Sequence, residues 1–481
     1  MIAKIINFLL RKSNYSYIRR GKPKLFNFLS KVVPLPIKKL IVWVMLKIQQ
    51  NLIFMLKRYS YFFYGDKNKY DVVLIYPKSD LDESLVMPHS LLAIAQPLIE
   101  SNYKVKIIDQ RIELDCWKNL KGILEQGVIC VGVTFFSGRQ IKYACDLMDK
   151  IKSTFSDISV VVGGTHATVL SEQTAAYKNL DIVVCGEGEE TFLQVVRTIE
   201  KKGDIADIRG VCFRKEKDIV KTEAAEPVCL SKYVSVPLFL LHSYLCHYFL
   251  GGVFTSRGCP KKCSYCVIPL LSPKWRTLEP ELAVERIKAL MSIGARLIYF
   301  FDDNFFASKK RVEELLNIFE REKLNIEWWV ECRIDDLLNM EESFLTKLRK
   351  EGLRKVFLGA ESGSDRILQL VNKDLTVEMT IKVNLLLKKF DIVPEYTFMI
   401  GFPTETKEER EKTFSLIKKL KEDNPEALFW KLNQYTAYPG TKLSELAVKE
   451  GFAPPKTLRE WADLSFYRRE YDLVSYDRCL D

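Results

Sequence analysis

The sequence predicts an α/β protein: a Rossmann-like parallel-sheet domain followed by a partial (βα)6 barrel of TIM type, with a basic helical N-terminal extension. From residue 71 onward, short runs rich in Val and Ile alternate with helix-length segments. This pattern is typical of parallel strands covered by helices on both faces. The 481 residues are enough for two or three domains, and 47% hydrophobic with 28% charged residues indicates a globular protein.

The N-terminal extension, residues 1–66, holds the basic character of the chain. Residues 1–64 contain thirteen Lys or Arg and no Asp or Glu, so subtracting 13 from the net charge of +11 leaves −2 on the rest. Its longest apolar region, 40–56, is interrupted by Lys47 and Gln49 and is a poor bilayer-spanning helix. A basic amphipathic segment fits an anionic membrane surface. The alternatives are a helical cap on the first domain or a docking surface for a partner, and we expect no nucleic acid.

The first globular unit, residues 67–205, contains five predicted strands, at 72–76, 105–109, 128–134, 159–162 and 182–185. Parallel sheets bind ligands at the carboxyl ends of their strands. Glycines and hydroxyl groups at these ends favour close approach of a phosphate or a flat ring, although plain turns have a similar composition. The candidate binding residues are Thr134, Gly163, Gly164, Thr165, His166, Thr168, Gly186, Glu187 and Gly188.

The second globular unit is predicted at 251–445, after a linker at 206–250 that contains a hairpin near 210–214. Its six predicted strands lie at 251–255, 297–301, 326–331, 354–360, 393–400 and 428–435. Helices are expected near 280–293, 308–323, 341–351, 364–390 and 405–422. Six such units predict an open barrel with its chemistry at the carboxyl ends of the strands. Residues 446–481 are expected to form a C-terminal helical tail that packs on the barrel.

Three cysteines follow the first barrel strand at C-x3-C-x2-C spacing: Cys259, Cys263 and Cys266. Three thiolates in one loop can hold three irons of a 4Fe–4S cluster and leave the fourth iron open. The alternatives are unrelated thiols or a zinc site, but a zinc site usually shows a second ligand pair nearby, and none follows. Twelve cysteines without a signal peptide favour a reducing compartment, so we expect a cytoplasmic protein.

Further polar residues and glycines follow the later barrel strands and are candidates for binding a cofactor. They are Asp302, Asp303, Asn304, Arg333, Glu361, Ser362, Gly401 and Tyr438, together with Tyr265 within the cysteine loop. Each has a structural alternative. Asp302 and Asp303 can cap the helix near 308, and Arg333 can bridge Asp335 or Asp336.

Two sets of motifs resemble a known family. Val-Val-Gly-Gly-Thr-His-Ala-Thr at 161–168 and Cys-Gly-Glu-Gly-Glu-Glu-Thr-Phe at 185–192 are similar to the cobalamin-binding domain found ahead of radical S-adenosylmethionine (SAM) domains. Over about 251–445, the chain resembles the radical SAM superfamily itself. The matching motifs are the cysteine loop, Phe-Asp-Asp-Asn-Phe, Gly-Ala-Glu-Ser-Gly-Ser, Met-Ile-Gly-Phe-Pro-Thr-Glu-Thr and Ala-Tyr-Pro-Gly-Thr.

The resemblance implies three cofactors: a 4Fe–4S cluster on Cys259, Cys263 and Cys266, SAM on its open iron, and cobalamin. It places Tyr265 near adenine, Asp302, Asp303 and Asn304 near the amino group of SAM, Glu361 near the ribose and Arg333 near the carboxylate. The D-x-H-x-x-G motif that supplies a histidine to cobalt in some cobalamin proteins is absent. His166 is therefore expected to be a polar loop contact rather than a cobalt ligand.

The implied activity is methylation of an unactivated carbon, using a 5′-deoxyadenosyl radical and methylcobalamin. The alternatives are an oxidative, ring-forming or rearrangement reaction on the same scaffold, as in the anaerobic cyclase of chlorophyll synthesis, and a non-catalytic, membrane-associated cofactor-binding protein. We expect a small-molecule or lipid-like substrate and an external electron donor of the flavodoxin or ferredoxin type. The extension adds the expectation of a peripheral position on the inner face of the membrane.

Overall fold

The computed structural model describes residues 69–78, 85–113, 116–233, 236–430 and 432–462. Two large parallel sheets, each packed against helices, confirm the predicted fold class. The expectations for the basic extension at 1–66, including membrane contact, and for the tail at 463–481 lie outside the described residues.

The first sheet has seven strands in the order β2-β1-β3-β4-β5-β6-β7. Strands β1 to β5 are parallel, and β6 and β7 form an antiparallel hairpin at one edge. Val72 to Ile75 have no exposed surface, because helices cover both faces of the sheet. The strand bounds are β1 Val72–Tyr76, β2 Val105–Asp109, β3 Cys130–Thr134, β4 Ser159–Gly163, β5 Ile182–Val184, β6 Val211–Lys215 and β7 Asp218–Lys221.

Among the described residues six helices accompany this sheet, and they divide between its two faces. Leu91 and Val195 pack into one core, while Ile141 and Met148 pack into another core on the opposite face. The helix bounds are α1 His89–Glu100, α2 Trp117–Leu124, α3 Gln140–Thr154, α4 Thr165–Val169, α5 Ser171–Ala175 and α6 Gly188–Glu200. The short helices α4 and α5 directly follow β4, so the predicted binding loop sits at the carboxyl edge of the sheet.

Residues 206–250 are less of a linker than the sequence predicts. The β6–β7 hairpin pairs with β5 and extends the first sheet. Further along, the Tyr244 hydroxyl donates to Glu113 and the Tyr248 hydroxyl donates to Asp109, at 2.6 and 2.7 Å. These aromatic residues lie in the core shared with the barrel, so the segment joins the two units instead of spacing them.

The second sheet is parallel, with strand order β15-β14-β13-β12-β11-β8 and a further strand, β16, beside β14. A separate antiparallel ribbon, β9 with β10, flanks the cysteine loop. Within the described residues no strand pairing joins β8 to β15, which gives an open barrel. The bounds are β8 Gly252–Val253, β9 Ser256–Arg257, β10 Arg276–Thr277, β11 Leu297–Phe300, β12 Glu327–Cys332, β13 Leu353–Glu361, β14 Val393–Ile400, β15 Leu428–Phe429 and β16 Asn433–Gln434.

In the described part of the chain nine helices surround this sheet, and side-chain caps fix several of their starts. Ser308 accepts from the Arg311 amide at α9, and Thr406 with Glu409 forms a capping box at α14. The single helix predicted at 364–390 is instead two helices, because Asn372 and Asp374 adopt positive φ between them. The bounds are α7 Ile268–Leu271, α8 Pro280–Ser292, α9 Lys309–Glu322, α10 Ile334–Leu338, α11 Glu342–Lys350, α12 Asp365–Leu370, α13 Val377–Lys389, α14 Lys407–Asp423 and α15 Lys442–Lys449.

Beyond α15, residues 455–462 pack on the first domain, whereas the sequence predicts a tail that packs on the barrel. A 3-10 helix at Arg459–Ala462 places Trp461, with 1% of its surface exposed, in the core beside α3. The Trp461 indole N–H donates to Gln173 at 2.6 Å, and Arg459 pairs with Asp146 at 3.0 Å. This closing segment buries apolar surface that the first domain would otherwise expose.

Of the helices in the described part of the chain, none combines the length and the apolar character that crossing a bilayer requires.

Candidate active site

A cavity of about 510 Å³ lies between the carboxyl edge of the first sheet and the mouth of the barrel. On the barrel side it is bordered by Phe254, Arg257, Gly258 and Asp303, next to the first cysteine. On the side of the first sheet it is lined by most of the predicted binding residues, namely Thr134, Gly163, Gly164, Thr165, Thr168, Gly186, Glu187 and Gly188. The fold therefore brings together two groups of residues that are far apart in the sequence.

The edge of the first sheet is built around Gly164. Its φ is +103°, and a Cβ atom there would lie 2.8 Å from both the Phe135 carbonyl oxygen and Thr134 Oγ1. Thr168 Oγ1 donates to the Gly164 carbonyl at 2.9 Å and accepts from the Gly186 amide at 3.0 Å. These contacts tie the turns after β4 and β5 together and leave a side-chain-free surface that a flat ring can approach.

His166 lies behind this edge and does not line the cavity, unlike the other predicted residues of its loop. Its Nδ1 is 2.7 Å from Ser137 Oγ, and its ring packs edge-on against Trp461 with centroids 5.5 Å apart. Burial lowers the pKa of His166 to about 4, so the ring is neutral near pH 7. These contacts support a structural role for His166 in the loop.

Ion pairs connect the two sides of the cavity. Arg257, two residues before Cys259, pairs with Glu189 at the start of α6. Arg276 pairs with Glu187, which also accepts from the Val228 amide at 2.8 Å. These hydrogen bonds and cationic neighbours outweigh burial and hold the pKa of Glu187 below its ordinary value. Glu187, predicted as a cofactor contact, thus also holds the first domain against the cysteine loop.

The cysteine loop is held by backbone contacts on several sides. Gly258 enters it with a φ of +83°, and a Cβ there would lie 2.7 Å from the Lys274 carbonyl oxygen. The Ser264 amide and hydroxyl donate to the carbonyls of Val371 and Leu370, both at 2.9 Å. The loop is therefore fixed to the end of α12 before any cofactor binds.

The donor set of this loop fits an iron–sulfur cluster. Cys259, Cys263 and Cys266 are free thiols, each partly exposed. Burial raises the pKa of Cys266 to about 11, and nearby Cys263 and Cys259 add to the shift. Among the residues the structure describes, no three His, Cys, Asp or Glu side chains converge on a single metal ion. A cluster needs no such convergence, because each thiolate binds its own iron.

The three polar residues after β11 have different environments. The Asp302 carboxylate has no exposed surface and accepts from the Thr255 amide and hydroxyl, both at 2.6 Å, and from Arg311 at 2.9 Å. Asn304 is equally buried and donates to Asp336 at 2.8 Å. The Asp302 carboxylate is therefore used by the protein interior, whereas Asn304 Oδ1 is buried and has no hydrogen-bond partner among the described residues.

Asp303 is the member of this group that borders the cavity. It accepts from the Gly258 amide at 2.9 Å, immediately before Cys259. Burial raises the pKa of Asp303 above its ordinary value. A carboxylate at this point can receive an ammonium group beside the cluster loop.

Arg333 contacts the cysteine loop directly. Its Nη1 donates to Cys263 Sγ at 3.5 Å, and its Nε donates to Asp335 at 2.7 Å. The bridge to Asp335 is the structural alternative considered from the sequence, while the contact with the thiol places a positive charge beside a cluster ligand.

Glu361, Tyr265 and Lys373 form one hydrogen-bonded group next to the cysteines. Glu361 accepts from the Tyr265 hydroxyl at 2.9 Å and from Lys373 Nζ at 2.7 Å. Its φ is +61°, an unusual conformation for glutamate that is often found at functional sites. Lys373 is not predictable from the sequence, because it lies in the short loop between α12 and α13 and belongs to no recognisable motif.

The remaining predicted residues shape the site from further away. Ser362 is fully buried and accepts from the Ser364 amide at 3.1 Å, which forms the turn after β13. Gly401 has a φ of +78° at the end of β14, and its amide donates to Glu405. Tyr438 hydrogen-bonds Ser137 of the first domain, and burial raises the pKa of its hydroxyl. None of the three borders the cavity defined above among the described residues.

Comparison with known proteins identifies the two units. The model of the B12 binding domain matches residues 83–196, and the model of the Radical SAM superfamily matches residues 253–417. An uncharacterized methyltransferase of Pyrococcus horikoshii is 31% identical over 367 residues, which cover 74% of this chain and 78% of the relative. The chain belongs to the cobalamin-dependent radical SAM enzymes.

Two further proteins place this cobalamin-dependent radical SAM enzyme among its relatives. The radical SAM methyltransferase TsrM from Kitasatospora setae shares the fold, with a TM-score of 0.67 and 20% identity over 79% of this chain and 75% of TsrM. The anaerobic magnesium-protoporphyrin IX monomethyl ester cyclase of Rubrivivax gelatinosus is 27% identical over 61% of this chain. The match spans only 54% of that cyclase.

Family membership defines the cofactors of the enzyme: a 4Fe–4S cluster, SAM and cobalamin. The three free thiols suit the cluster, and the glycine edge around Gly164 suits a large flat ring. The residues present therefore fit the cofactors that the family uses.

Proposed function

We propose that this cobalamin-dependent radical SAM enzyme methylates an unactivated carbon of its substrate. The observation that carries the proposal is the single cavity bordered both by the glycine edge of the B12 binding domain and by the start of the cysteine loop. When bound, the cluster with SAM supplies a 5′-deoxyadenosyl radical and cobalamin carries a methyl group. A substrate in this cavity lies between the two sites.

The proposed roles of the chain's own residues follow from their positions. Cys259, Cys263 and Cys266 hold the cluster, and Asp303 receives the amino group of SAM beside Gly258. The pair formed by Glu361 and Tyr265 lies on the other side of the loop, where it orients the nucleoside part of SAM.

The ion pairs across the cavity have a separate role. By joining Arg257 to Glu189 and Arg276 to Glu187, they fix the distance between the two cofactor sites and limit the entry of water. Excluding water and oxygen protects a reactive radical during transfer.

The test is the stoichiometry of products after anaerobic reconstitution with iron, sulfide, cobalamin and SAM, with dithionite as the reductant. The substrate pool is an extract of cells that lack the gene, and products are identified by mass spectrometry. Methylation predicts S-adenosylhomocysteine and 5′-deoxyadenosine in equal amounts, because one SAM donates the methyl group and another provides the radical. Formation of 5′-deoxyadenosine without S-adenosylhomocysteine would contradict methylation.

That second outcome would favour oxidative ring formation or rearrangement instead. The similarity to the Rubrivivax gelatinosus cyclase, at 27% identity, is the observation that supports this second candidate. The same reaction mixture distinguishes the two, because a cyclised product loses hydrogen and gains no methyl group.

We further propose that an external electron donor of the flavodoxin or ferredoxin type reduces the cluster. We also propose that the protein is cytoplasmic and that residues 1–64 bind peripherally to the anionic inner face of the membrane. Thirteen basic residues without an acid support the membrane proposal, and a lipid-like substrate would fit it. Co-sedimentation with vesicles containing phosphatidylserine should be strong for the full chain and weak for a chain lacking residues 1–64. Equal sedimentation of both would contradict membrane binding through this segment.

A further inference from the structure

The concave face of the barrel sheet carries a layer of aromatic side chains below the cavity. Successive residues of a strand point to opposite faces. Phe300 and Trp328 face the helices, where Trp328 contacts Phe319 of α9 at 6.4 Å between ring centroids. Tyr299 and Phe357 face the other way and stack across the intervening strand at 4.9 Å. They therefore lie inside the barrel.

Glu331 is the acidic residue of this inner layer. The Tyr299 hydroxyl donates to Glu331 Oε1 at 2.7 Å. Glu331 is partly exposed, whereas Lys355 and Glu395, one layer deeper, are buried with about one twentieth of their surface accessible. The lumen is thus closed below by the Lys355–Glu395 pair and open at Glu331.

The Glu331 carboxylate has no basic partner among the described residues. Three other acids of the barrel pair with a cation: Glu361 with Lys373 at 2.7 Å, Glu395 with Lys355 at 2.5 Å, and Asp302 with Arg311 at 2.9 Å. Asp303, at the cavity, accepts from the Gly258 amide instead. No Lys, Arg or His of the described residues contacts Glu331. Burial raises the pKa of Glu331 to about 7, and the charges of Asp303 and Asp302 add to the shift. An ionised Glu331 therefore lacks a counter-charge that a ligand can supply.

A continuous wall of rings leads from the cavity to this carboxylate. Phe254 borders the cavity and stacks on Phe301 with centroids 5.5 Å apart. The ring of Phe301 in turn packs against the ring of Tyr299, next to Glu331, with centroids 4.1 Å apart. Aromatic faces attract cations as well as apolar groups, so the wall suits an apolar body that ends in a positive charge.

We propose that Glu331, oriented by Tyr299, binds a basic nitrogen of the substrate. The apolar body of the substrate then lies along Phe254 and Phe301, with its reacting carbon toward the cavity. The substrate class is thus an amine with an apolar framework, and this assignment rests on the proposed function because the reacting carbon must reach the cavity. Glu331 determines specificity and position, and takes no part in bond formation.

Two small probes test this proposal: benzylamine and its neutral counterpart benzyl alcohol. Affinities are measured by ligand-observed NMR on the full chain loaded with cluster, cobalamin and S-adenosylhomocysteine. Benzylamine should bind about tenfold more tightly than benzyl alcohol, since a charge-assisted hydrogen bond favours the amine. Glu331→Gln should abolish the preference, and Tyr299→Phe should reduce it. Glu445→Gln, on the exposed side of α15, removes an acid elsewhere and should leave the preference unchanged.

Iron content and cluster absorbance verify that each variant is folded. If Glu331→Gln does not fold, the amine preference of Tyr299→Phe tests the proposal in its place. Equal affinity for the two probes, no binding of benzylamine, or a preference that survives Glu331→Gln would overturn the proposal. Because binding is measured without turnover, an enzyme that prefers the amine but shows no methylation stoichiometry would contradict only the proposed function.

Discussion

The two sides of the cavity use different chemistry. The edge of the B12 binding domain is mainly glycine, hydroxyl groups and backbone, with the Gly164 turn as its centre. The barrel mouth is charged, with Asp303, Arg333 and the Glu361–Lys373 pair around the cysteine loop. Glycines leave space for a large ring, whereas charged side chains orient a charged cofactor such as SAM. The comparison predicts that each side can be disabled without the other.

Cys263→Ala should have the largest effect and should be confined to the barrel side. Removing one of three thiolates leaves the cluster without a complete ligand set, so iron and the cluster absorbance should be lost, together with all formation of 5′-deoxyadenosine. Cobalamin bound after gel filtration should stay at the wild-type level. Cys130→Ala, which removes a buried thiol in β3, is the control and should retain the cluster. Loss of cobalamin in Cys263→Ala would show that the two sites are not independent.

Trp461→Ala tests the packing behind the glycine edge. Trp461 is 1% exposed and contacts His166, so truncation should destabilise the first domain by about 3–5 kcal/mol. Denaturant unfolding followed by circular dichroism measures this change. Trp461→Phe keeps most of the apolar contact and should lose much less stability. An unchanged unfolding midpoint in Trp461→Ala would show that the closing segment does not support the domain.

Gly164→Ala tests the edge itself. The added Cβ would strain a φ of +103° and approach Phe135 and Thr134 to 2.8 Å, so cobalamin affinity should fall about tenfold or more. Equilibrium dialysis with hydroxocobalamin measures the affinity, and cluster content should be unchanged. Gly127→Ala is a matched control, because Gly127 also has a positive φ, +83°, but has open space around it. Similar cobalamin loss in both variants would contradict a specific role for Gly164.

His166 should make the stability of the protein depend on pH. Its pKa is about 4 in the folded protein against 6.5 for an unperturbed histidine, so the unfolded chain binds the proton more readily. The stability that this group contributes is therefore complete above pH 6.5 and decreases as the pH falls toward 4. The slope of the unfolding free energy against pH corresponds to the uptake of less than one proton on unfolding. Unfolding free energies of the wild type and His166→Gln should converge over this range. Parallel pH profiles would contradict the assignment.

The sequence predicts the strands well because long runs of buried β-branched residues have few alternatives. All five strands of the first domain and the main strands of the barrel lie close to their predicted positions. The break between α12 and α13 and the docking of Trp461 on the first domain are not predictable in this way. Both depend on contacts between residues distant in the sequence, such as Trp461 with Gln173.

In the candidate site, too, some features are predictable from the sequence and others depend on contacts in the fold. Motifs place Cys259 and the Gly163–Gly164 turn at strand ends, and strand ends meet at one edge of a sheet. Position in the sequence does not show which way a side chain points. Asp302 accepts hydrogen bonds from Thr255 and Arg311, while its neighbour Asp303 borders the cavity. Glu331 belongs to no motif, and it is recognised only in the fold, where it accepts from Tyr299 and contacts no cation of the described residues.

In this enzyme the cobalamin site and the cluster site should face one cavity. Pulsed electron paramagnetic resonance of the full chain, loaded with cob(II)alamin and a reduced cluster, measures it most directly. The cluster should accelerate relaxation of the cob(II)alamin signal, and the signal of Cys263→Ala, which lacks the cluster, should relax slowly. Equal relaxation rates in the two proteins at full cofactor occupancy of the wild type would contradict the shared cavity.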